Sequence, residues 1–414
     1  MKLVVRGGLQ IAVTGSPIQQ VLAANPVRTV GLLGVDSPGT RAELLVAEGD
    51  RVAVGAPLWR DRKRPDLLFT APVSGTVAAI HIGEKRRLTS LSVCVDGDER
   101  RRFDIPTQPD RQRTQSLLLV SGLWPSFIAR PFGRIPDPGS AADAIFVTAL
   151  DTQPLAADAR VVLAGGAEDF ARGVACLKRL TDGPVFVCQG PGEHVVQAGG
   201  QIRCVEVSGV HPAGLAGTHV NRLFPLRGRR TVWQINYQDV MAIGTLLRTG
   251  ELTGERVIAL AGPGIRKPRL VRVALGADLD DLVHGEMTEG AHEIVSGSLL
   301  DGHPSRFLRR HHWQVSVVPR PPAATQTGWF ARYAARLKPP SIVATAAIER
   351  ALALDLPVMP LLRALSVGDS ETAARLGCCE LLEEDLALVT YAAGATQDFG
   401  ALLRTTLDAL EPAP

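Results

Sequence analysis

The spacing of apolar residues changes at about residues 103 and 254. Up to residue 103, short apolar runs alternate with Gly and Pro turns, and a second, similar half begins near Leu68, which suggests a small β-sandwich. From 104 to 254, continuous apolar runs such as 144–150 alternate with segments of helical period such as 168–180. This alternation predicts a Rossmann-like parallel α/β domain with helical crossovers.

The remaining residues predict a small mixed unit followed by helices. Residues 255–320 read as strand, strand, helix, strand, strand, the order of a β-grasp (ubiquitin-like) domain. Prolines between 319 and 340 predict a linker over 321–345. Beyond it, Leu- and Ala-rich segments predict a C-terminal helical bundle with helices at 349–354, 360–365, 370–376, 383–388 and 400–410. The prediction is an α/β multidomain chain with units at 1–103, 104–254, 255–320 and 346–414.

The stretch that joins the second and third units contains two local signals. In HPAGLAGTH, Pro212, Gly214 and Gly217 favour tight turns, so a loop is predicted there. Further on, Asn236 is placed as an N-cap and Gly250 as a stop around apolar positions of helical period. That segment is predicted to be a helix.

Composition excludes several classes of function. The chain has 414 residues and a formal net charge of +3, so nothing in its charge demands a nucleic acid or an anionic membrane surface. Three Arg-rich patches, at 100–102, 227–230 and 309–310, are interpreted as solvated faces or subunit contacts. Six cysteines do not form a disulfide framework, which favours a reducing compartment. No apolar run approaches the roughly 18 residues of a spanning helix, so we expect membrane association only through other subunits.

Motifs for resident cofactors are weak or missing. His211 and His219 have no third ligand type nearby, so they are interpreted as structural or contact residues rather than metal ligands. No glycine-rich dinucleotide or phosphate loop follows a strand, and the candidates at 190–192 and 262–264 carry prolines that remove amide donors. Cys378 and Cys379 are too few for an iron–sulfur cluster and are interpreted as buried cysteines.

A loop at 121–136 is the best candidate for ligand contact in the second unit. Trp124, Phe127 and Phe132 offer flat apolar surfaces, and Arg130 and Arg134 offer donors to carbonyl oxygens. That combination suits a quinone head group and its isoprenoid tail. The alternative is that the rings only fill the core, which is the commoner fate of aromatic residues.

Several motifs occur together in the order of one known family. They are FTAPxSG at 69–75, GEKR at 83–86, SGLW at 121–124, HPAGLAGTH at 211–219, WxINYQDV at 233–240 and the run from Gly377-Cys378 to Leu388. With them, residues 1–318 and 348–404 resemble the A subunit of the sodium-translocating NADH:quinone oxidoreductase. That family is related to the C subunit of the Rnf complex and to the NADH-binding flavoprotein subunit of respiratory complex I.

The resemblance implies a fold for the first unit and a place for the chain in a complex. The first unit resembles the biotinyl/lipoyl carrier fold, although Lys63 lacks the flanking methionines of a modified lysine and is interpreted as an exposed turn residue. The chain would be a peripheral subunit on the cytoplasmic side of a bacterial inner membrane. It would contribute to quinone binding and complex assembly, while partner subunits export Na⁺. The segment at 321–345 is shorter than is typical of the family.

The resemblance also implies ligands and partners. No cofactor is expected in this chain: ubiquinone would be a substrate, and FAD, FMN and a 2Fe–2S cluster would reside in partner subunits, above all the membrane flavoprotein subunit on the quinone side. The isolated chain is expected to be inactive. The alternative is a cofactor-free docking subunit with no ligand site. By resemblance, the predicted quinone contacts are Gly31, Leu32, Leu33, Gly34, Pro38, Trp124, Phe127, Arg130, Phe132 and Arg134.

Overall fold

The chain forms several sheets and a C-terminal group of helices. The computed structural model describes residues 1–226, 228, 230–320, 343–395 and 397–412, so most of the predicted linker at 321–345 lies outside the described residues. The strands are β1 Lys2–Val4, β2 Ile18–Leu22, β3 Thr29–Leu33, β4 Ala42–Leu44, β5 Arg51–Val52, β6 Pro57–Asp61, β7 Arg64–Thr70, β8 Gly75–Ile82, β9 Leu88–Val95, β10 Ile128–Arg130, β11 Ala144–Ala149, β12 Val185–Gln189, β13 Ile202–Ser208, β14 Val232–Asn236, β15 Glu255–Ala261, β16 Arg269–Ala274, β17 His292–Ser296, β18 His303–Pro304 and β19 Gln314–Pro319. The helices are α1 Arg111–Val120, α2 Ala159–Ala164, α3 Ala167–Leu177, α4 Ala216–Leu223, α5 Tyr237–Thr249, α6 Leu279–Val283, α7 Ala346–Leu352, α8 Val358–Val367, α9 Ser370–Arg375, α10 Ala387–Ala392 and α11 Phe399–Leu410.

The second unit is built on a six-stranded sheet in the order β1-β13-β12-β11-β14-β10. Every neighbouring pair is parallel except β14 with β10. The central strands β11 and β12 are almost entirely apolar and buried because both faces of the sheet are covered there. In β11, Ile145 and Val147 join the core that contains α3 and α5, while Ala144 and Phe146 join a separate core.

Helices α3 and α5 pack against each other at glycines. A Cβ atom added to Gly244 would lie 1.7 Å from the carbonyl oxygen of Asp169, and one added to Gly173 would lie 2.1 Å from that of Val240. The predicted ends of α5 are confirmed. The Asn236 side chain accepts a hydrogen bond from the backbone N–H of Gln238, and Gly250 ends the helix at a φ of 75°.

The strand order reverses in the middle of this sheet. The chain passes from β11 to β12 and β13 on one side, and then β14 pairs with the other edge of β11. The carboxyl ends of β11 and β14 therefore flank a topological switch point, the place where open parallel sheets usually bind ligands.

The third unit is built on a mixed sheet in the order β18-β17-β19-β15-β16-β2, with α6 between β16 and β17 in sequence. Its edge is extended by β2, which runs parallel to β16. In the same way β1 runs parallel to β13 in the second unit. Strands β1 and β2, at the start of the predicted 1–103 unit, thus pair with the two larger sheets, where they cover strand edges that would otherwise be open.

The two small sheets of the first unit begin at β3. Their orders are β3-β9-β8-β5 and β4-β6-β7, all with antiparallel neighbours. Between them lie buried apolar side chains, including Trp59 and Phe69, whose rings stack at 4.9 Å. The hairpin from β6 to β7 carries Lys63 at an exposed turn, as predicted.

Helices α7 to α11 pack around a separate apolar core. The segment predicted as a short helix at 383–388 is helical, but its first half is the 3-10 helix Glu383–Leu386, and α10 begins only at Ala387. In this 3-10 helix, Glu384 and Asp385 pair with Arg130 of the second unit.

Two further predictions are wrong for reasons that lie far away in the sequence. The predicted loop over 211–219 ends early, because α4 begins at Ala216 and includes Gly217. Gly217 has a role other than turning the chain: an added Cβ atom would lie 2.2 Å from the carboxylate of Asp385.

Arg309 and Arg310 do not form a solvated face. Arg309 pairs with Asp36 at 2.8 Å, and Arg310 donates to the carbonyl oxygen of Gly122 at 2.9 Å.

Candidate functional site

A cleft opens where the first, second and third units meet, and we call it the junction cleft. Its empty space, with the open mouth included, is about 880 Å³. Its lining comes from β3 and the turn after it, from the loop at 121–126, from the start of α5 and from β15 and the residues near Leu308. Three of the predicted quinone contacts, Gly31, Leu32 and Leu33, lie in this lining.

One wall of the junction cleft is apolar. Leu32, Leu33, Leu123, Leu252, Leu275 and Leu308 contribute to it. Gly31 fixes where this wall meets the third unit, because its N–H donates to the carbonyl oxygen of Gly276 at 2.7 Å. A Cβ atom at Gly31 would lie 2.3 Å from the Phe307 ring, so a larger residue would push the units apart.

The polar wall is formed by Asp239, Arg256 and Arg310. Asp239 and Arg256 are 8% and 4% exposed, and their charged groups are 3.8 Å apart. Burial lowers the pKa of Arg256 to about 10 and raises the pKa of Asp239, although both arginines oppose the second shift. The Nε atoms of Arg256 and Arg310 are buried and have no hydrogen-bond partner in the described residues. The wall therefore retains unused donors beside a carboxyl group whose pKa burial raises.

The predicted aromatic contacts lie in the core. Trp124 and Phe127 are fully buried, and each packs against Trp233, with ring centroids 5.3 and 5.8 Å away. Trp124 also donates from Nε1 to the carbonyl oxygen of Pro136 at 2.9 Å. Trp124 and Phe127 therefore fill the core, which is the second of the two interpretations of this loop.

The predicted donor Arg130 is engaged within the protein. Its side chain is buried, and its guanidinium donates to Gln234 at 2.6 Å, to Asp385 at 2.9 Å and to Glu384 at 3.2 Å. It also donates to the carbonyl oxygen of Glu380. Arg130 thus joins the parallel sheet to the C-terminal helices and does not line the junction cleft.

The other predicted contacts also lie outside the junction cleft lining. Arg134 donates to Glu411 and Asp408 at the end of α11, at 2.6 and 2.7 Å. Phe132 packs against the helical core, and its carbonyl oxygen accepts from Arg404. Gly34 lies against the backbone of Leu88, and Pro38 is exposed.

A second cleft, the switch-point cleft, lies at the carboxyl ends of β11 and β14. Its empty space is about 810 Å³, and the second, third and helical units all contribute to it. Its lining includes Asp151, Asn236, Asp301, His311, Trp313, Gln314 and Glu384. The Asp151 side chain is open to the cleft, and desolvation by the protein around the cleft raises the pKa of its carboxyl group to about 7.

Sequence reasoning missed the three residues of the polar wall, of which the third unit supplies Arg256 and Arg310 and the second unit supplies Asp239. Arg256 lies in a strand, and Arg310 in a patch that resembles a solvated face. Asp239 looks like the acidic residue of a helix start. Only burial distinguishes these three, and no local signal in the sequence reports it.

His211 and His219 are buried in hydrogen-bonded positions. His211 Nδ1 lies 3.3 Å from the hydroxyl of Thr152, and His219 Nε2 lies 2.8 Å from the carbonyl oxygen of Ala213. Desolvation lowers the pKa of each to about 4, so both are neutral at pH 7. In the part of the chain that the structure describes, no three His, Cys, Asp or Glu groups are arranged to hold a metal ion.

Three family models match the chain. They are the NqrA N-terminal barrel-sandwich hybrid domain at residues 3–96, the NqrA second alpha/beta domain at 109–252 and the NQRA C-terminal domain at 257–306. Among the described residues, no helix has both the length and the apolar character needed to cross a membrane.

Curated relatives match over nearly the whole chain. The A subunit of the Na(+)-translocating NADH-quinone reductase from Klebsiella pneumoniae (strain 342) is 42% identical, with 98% of each chain covered. The proteins of the same name from Marinomonas sp. (strain MWYL1) and Cellvibrio japonicus (strain Ueda107) are each 40% identical. The alignments cover 98% of this chain in both cases, and 98% and 99% of those relatives.

Proposed function

Because this chain belongs to the family of A subunits of the Na(+)-translocating NADH-quinone reductase, we propose that it binds the quinone of such a complex in the junction cleft. The observation that carries the proposal is the pair of unpartnered guanidinium N–H groups, on Arg256 and Arg310, beside a wall of leucines. A quinone presents two carbonyl acceptors on a flat ring and a long apolar tail. The cleft offers a matching surface to each part.

The proposed orientation follows from the two walls. The ring lies near Asp239, Arg256 and Arg310, where the free donors bind a carbonyl oxygen. The tail follows Leu32 and Leu33 toward the mouth. Asp239, whose pKa burial raises while the two arginines oppose the shift, lies beside Arg256 at 3.8 Å and helps to orient the guanidinium groups at this end of the cleft. Of the predicted contacts, we retain Gly31, Leu32 and Leu33 for the quinone and assign Trp124, Phe127, Arg130, Phe132 and Arg134 to the structure of the units.

The redox steps belong, in this proposal, to partner subunits. We place the flavins there because the parallel sheet of this chain lacks a glycine-rich loop for a dinucleotide. We place the 2Fe–2S cluster and Na⁺ export there as well. The chain would then be a peripheral subunit on the cytoplasmic side of the inner membrane. It would shape the quinone end and help to hold the complex together.

The unit assignments are part of the same proposal. The third unit places its own five strands in the order 4-3-5-1-2 with a helix between the second and third, which supports a β-grasp domain. The two small sheets around one core support a biotinyl/lipoyl-like barrel sandwich, and the second unit supports a Rossmann-like sheet.

Quinone titration of the purified chain tests the proposed site. A short-chain ubiquinone is added while tryptophan fluorescence is followed, since Trp59 lies in the cleft lining. Leu33→Glu places a charge on the apolar wall and is expected to weaken binding at least about tenfold, or 1.4 kcal/mol. The matched control is Val35→Glu, because Val35 is 63% exposed and lies outside the lining.

The control should bind quinone within about twofold of the unchanged chain, well under 1 kcal/mol. Equal affinity of Leu33→Glu and the unchanged chain would remove the junction cleft from consideration. Circular dichroism of both variants shows whether each remains folded.

A docking subunit without a ligand site is the second candidate. It is favoured by one observation, that Trp124, Arg130 and Arg134 are all used in contacts within the chain. This candidate predicts no saturable quinone quenching. It also predicts that a complex reconstituted with Leu33→Glu assembles and reduces quinone at the normal rate.

A further inference from the structure

Three carboxyl groups from three different units meet at the switch-point cleft. Asp151 follows β11 in the second unit, Asp301 precedes β18 in the third, and Glu384 belongs to the helical unit. They are close enough to affect one another, since the charge of Asp301 raises the pKa of both Asp151 and Glu384. Like charges gathered at a junction destabilise it unless a positive charge offsets them.

The lining supplies little positive charge of its own. Among the described residues that line the cleft, none is Lys or Arg. Arg130 lies behind it and bonds to Glu384 and Asp385, so one guanidinium faces two carboxylates there. His311 and His312 also line the cleft, and because burial and nearby arginines lower the pKa of each ring, both are neutral.

A buried acceptor in the same cleft also lacks a donor. Gln314 is 4% exposed, and its amide nitrogen Nε2 donates to the carbonyl oxygen of Pro154 and to Ser316. Its Oε1 has no hydrogen-bond partner in the described part of the chain. Trp313 Nε1 is likewise unpartnered there and adds one donor to a lining that is otherwise rich in acceptors. A buried amide oxygen without a partner is uncommon and points to a missing donor.

The arrangement does not suit a metal ion or a phosphate. In the described residues, no three carboxyl, His or Cys groups lie close enough together to hold one metal ion. The carboxyl groups of the cleft are therefore too far apart to share a metal ion. A phosphate would meet Asp151, Asp301 and Glu384 with no lining cation to balance it. An organic cation with several N–H donors satisfies both the carboxyl groups and Gln314.

We propose that the switch-point cleft binds a small aliphatic amine in its protonated form, which bridges the second, third and helical units. Its ammonium groups donate to Asp151, Glu384 and the free oxygen of Gln314. The cleft of about 810 Å³ accommodates a molecule of the size of a short diamine or polyamine. Binding is independent of the quinone proposal, because it uses a different cleft.

The test is a calorimetric titration of the full chain with putrescine in 150 mM NaCl. Saturable binding at one site is expected, and Asp151→Asn should weaken it at least about tenfold, or 1.4 kcal/mol. The variant is expected to fold, because Asn keeps the oxygen that accepts from the Gln153 N–H. Asp301→Asn, in the third unit, should also weaken binding. Weakening in both variants would show that the loss in Asp151→Asn does not come only from a structural change near residue 151.

A matched control removes a charge elsewhere. Asp182 is 91% exposed and lies before β12, at the opposite end of the parallel strands from the cleft. Asp182→Asn should leave the affinity within twofold. Equal weakening in Asp182→Asn, or binding of Mg²⁺ as tight as that of putrescine, would show attraction by net charge alone and would overturn the proposal. So would the lack of any saturable binding.

The pH dependence gives a second readout. Asp151 is faced by Asp301 and by the N–H groups of Thr152 and Gln153, and Glu384 by Asp385, Arg130, Asp301 and Gln234. With a carboxyl pKa of about 7 at Asp151, the charged form gains population as pH rises from 6 to 8, while an alkylammonium stays protonated. Ionisation of Asp151 alone should increase the affinity about tenfold over this range, ionisation of Glu384 adds to it, and the increase should shrink in Asp151→Asn. An affinity that is flat or falls with pH in the unchanged chain would contradict the proposal.

Discussion

At the scale of single residues, the fate of a charged side chain depends on partners that are remote in the sequence. Arg130 is separated from Asp385 by 255 positions, yet the two groups are 2.9 Å apart and almost completely buried. Arg130 looks like a ligand donor in the sequence because its own neighbours are aromatic. The carboxyl groups that engage it come from another unit, so no local pattern predicts the contact.

Loss of this ion pair gives a prediction about stability. Arg130→Leu leaves Asp385 charged and buried without its main partner, and we expect a loss of about 3–5 kcal/mol in the free energy of unfolding. Urea denaturation followed by circular dichroism measures it. Arg160→Leu is the matched control, because Arg160 pairs with Asp158 at the surface and is 68% exposed. That change should cost less than about 1 kcal/mol, and equal losses would show that the buried pair has no special weight.

At the scale of elements, helix ends were predictable and helix contacts were not. The caps of α5 depend on Asn236 and Gly250, which lie at the ends of the element they delimit, so their residue types carry the signal. The start of α4 was missed, because Gly217 resembles a turn residue. Its actual constraint is the carboxylate of Asp385, which approaches too closely for a side chain.

Gly244 tests the contact between α3 and α5. In an isolated helix, Gly→Ala would favour helix formation by about 1 kcal/mol. Here the new Cβ atom would meet the Asp169 carbonyl oxygen at 1.7 Å, and that backbone cannot move without displacing α3. We therefore expect Gly244→Ala to destabilise the chain by about 1–3 kcal/mol, which reverses the sign.

Thermal and urea unfolding of the variant measure this effect. Gly165→Ala is the control, because its Cβ atom would make ordinary contact at 3.5 Å and its φ is negative. The control should stay within about 0.5 kcal/mol of the unchanged chain. A stabilised Gly244→Ala would mean that the two helices can separate freely.

At the scale of the whole molecule, the units are joined by polar contacts around the junction cleft. Asp36, after β3, accepts from Arg309 Nε at 2.8 Å and from the backbone N–H of Arg310 at 2.9 Å. Close by, Gly31 donates to Gly276 across the same boundary. These contacts between the first and third units therefore fix the position of one wall of the cleft relative to the other.

Removal of the Asp36 carboxylate should loosen this boundary. We expect Asp36→Ala to lower stability by about 2 kcal/mol, the range for hydrogen bonds to a charged group. Hydrogen exchange of the Gly31 amide, which reports the bond to Gly276, should become faster. Asp66→Ala removes an exposed carboxylate in β7 and should leave both quantities unchanged. Unchanged protection of Gly31 in Asp36→Ala would show that the units stay docked without this contact.

The amino-acid sequence alone was enough to predict the features that depend on residues close together in the chain. The period of apolar residues predicted most of the strands and helices, such as β11, α3 and α5, because burial of one or both faces imposes that period. Short motifs indicated the family, and the exposed turn at Lys63 followed from its hairpin. In each case the physical cause lies within a few residues of the signal.

The folded arrangement was needed to show which strands cover the sheet edges, which charges are buried and where the clefts lie. The placement of β1 and β2 in the two larger sheets, the pairing of Arg130, and the meeting of Asp239 with Arg256 and Arg310 each join segments far apart in the chain. Such contacts depend on the sum of desolvation, packing and charge over several units. These contributions cannot be predicted from the residues next to a side chain in the sequence.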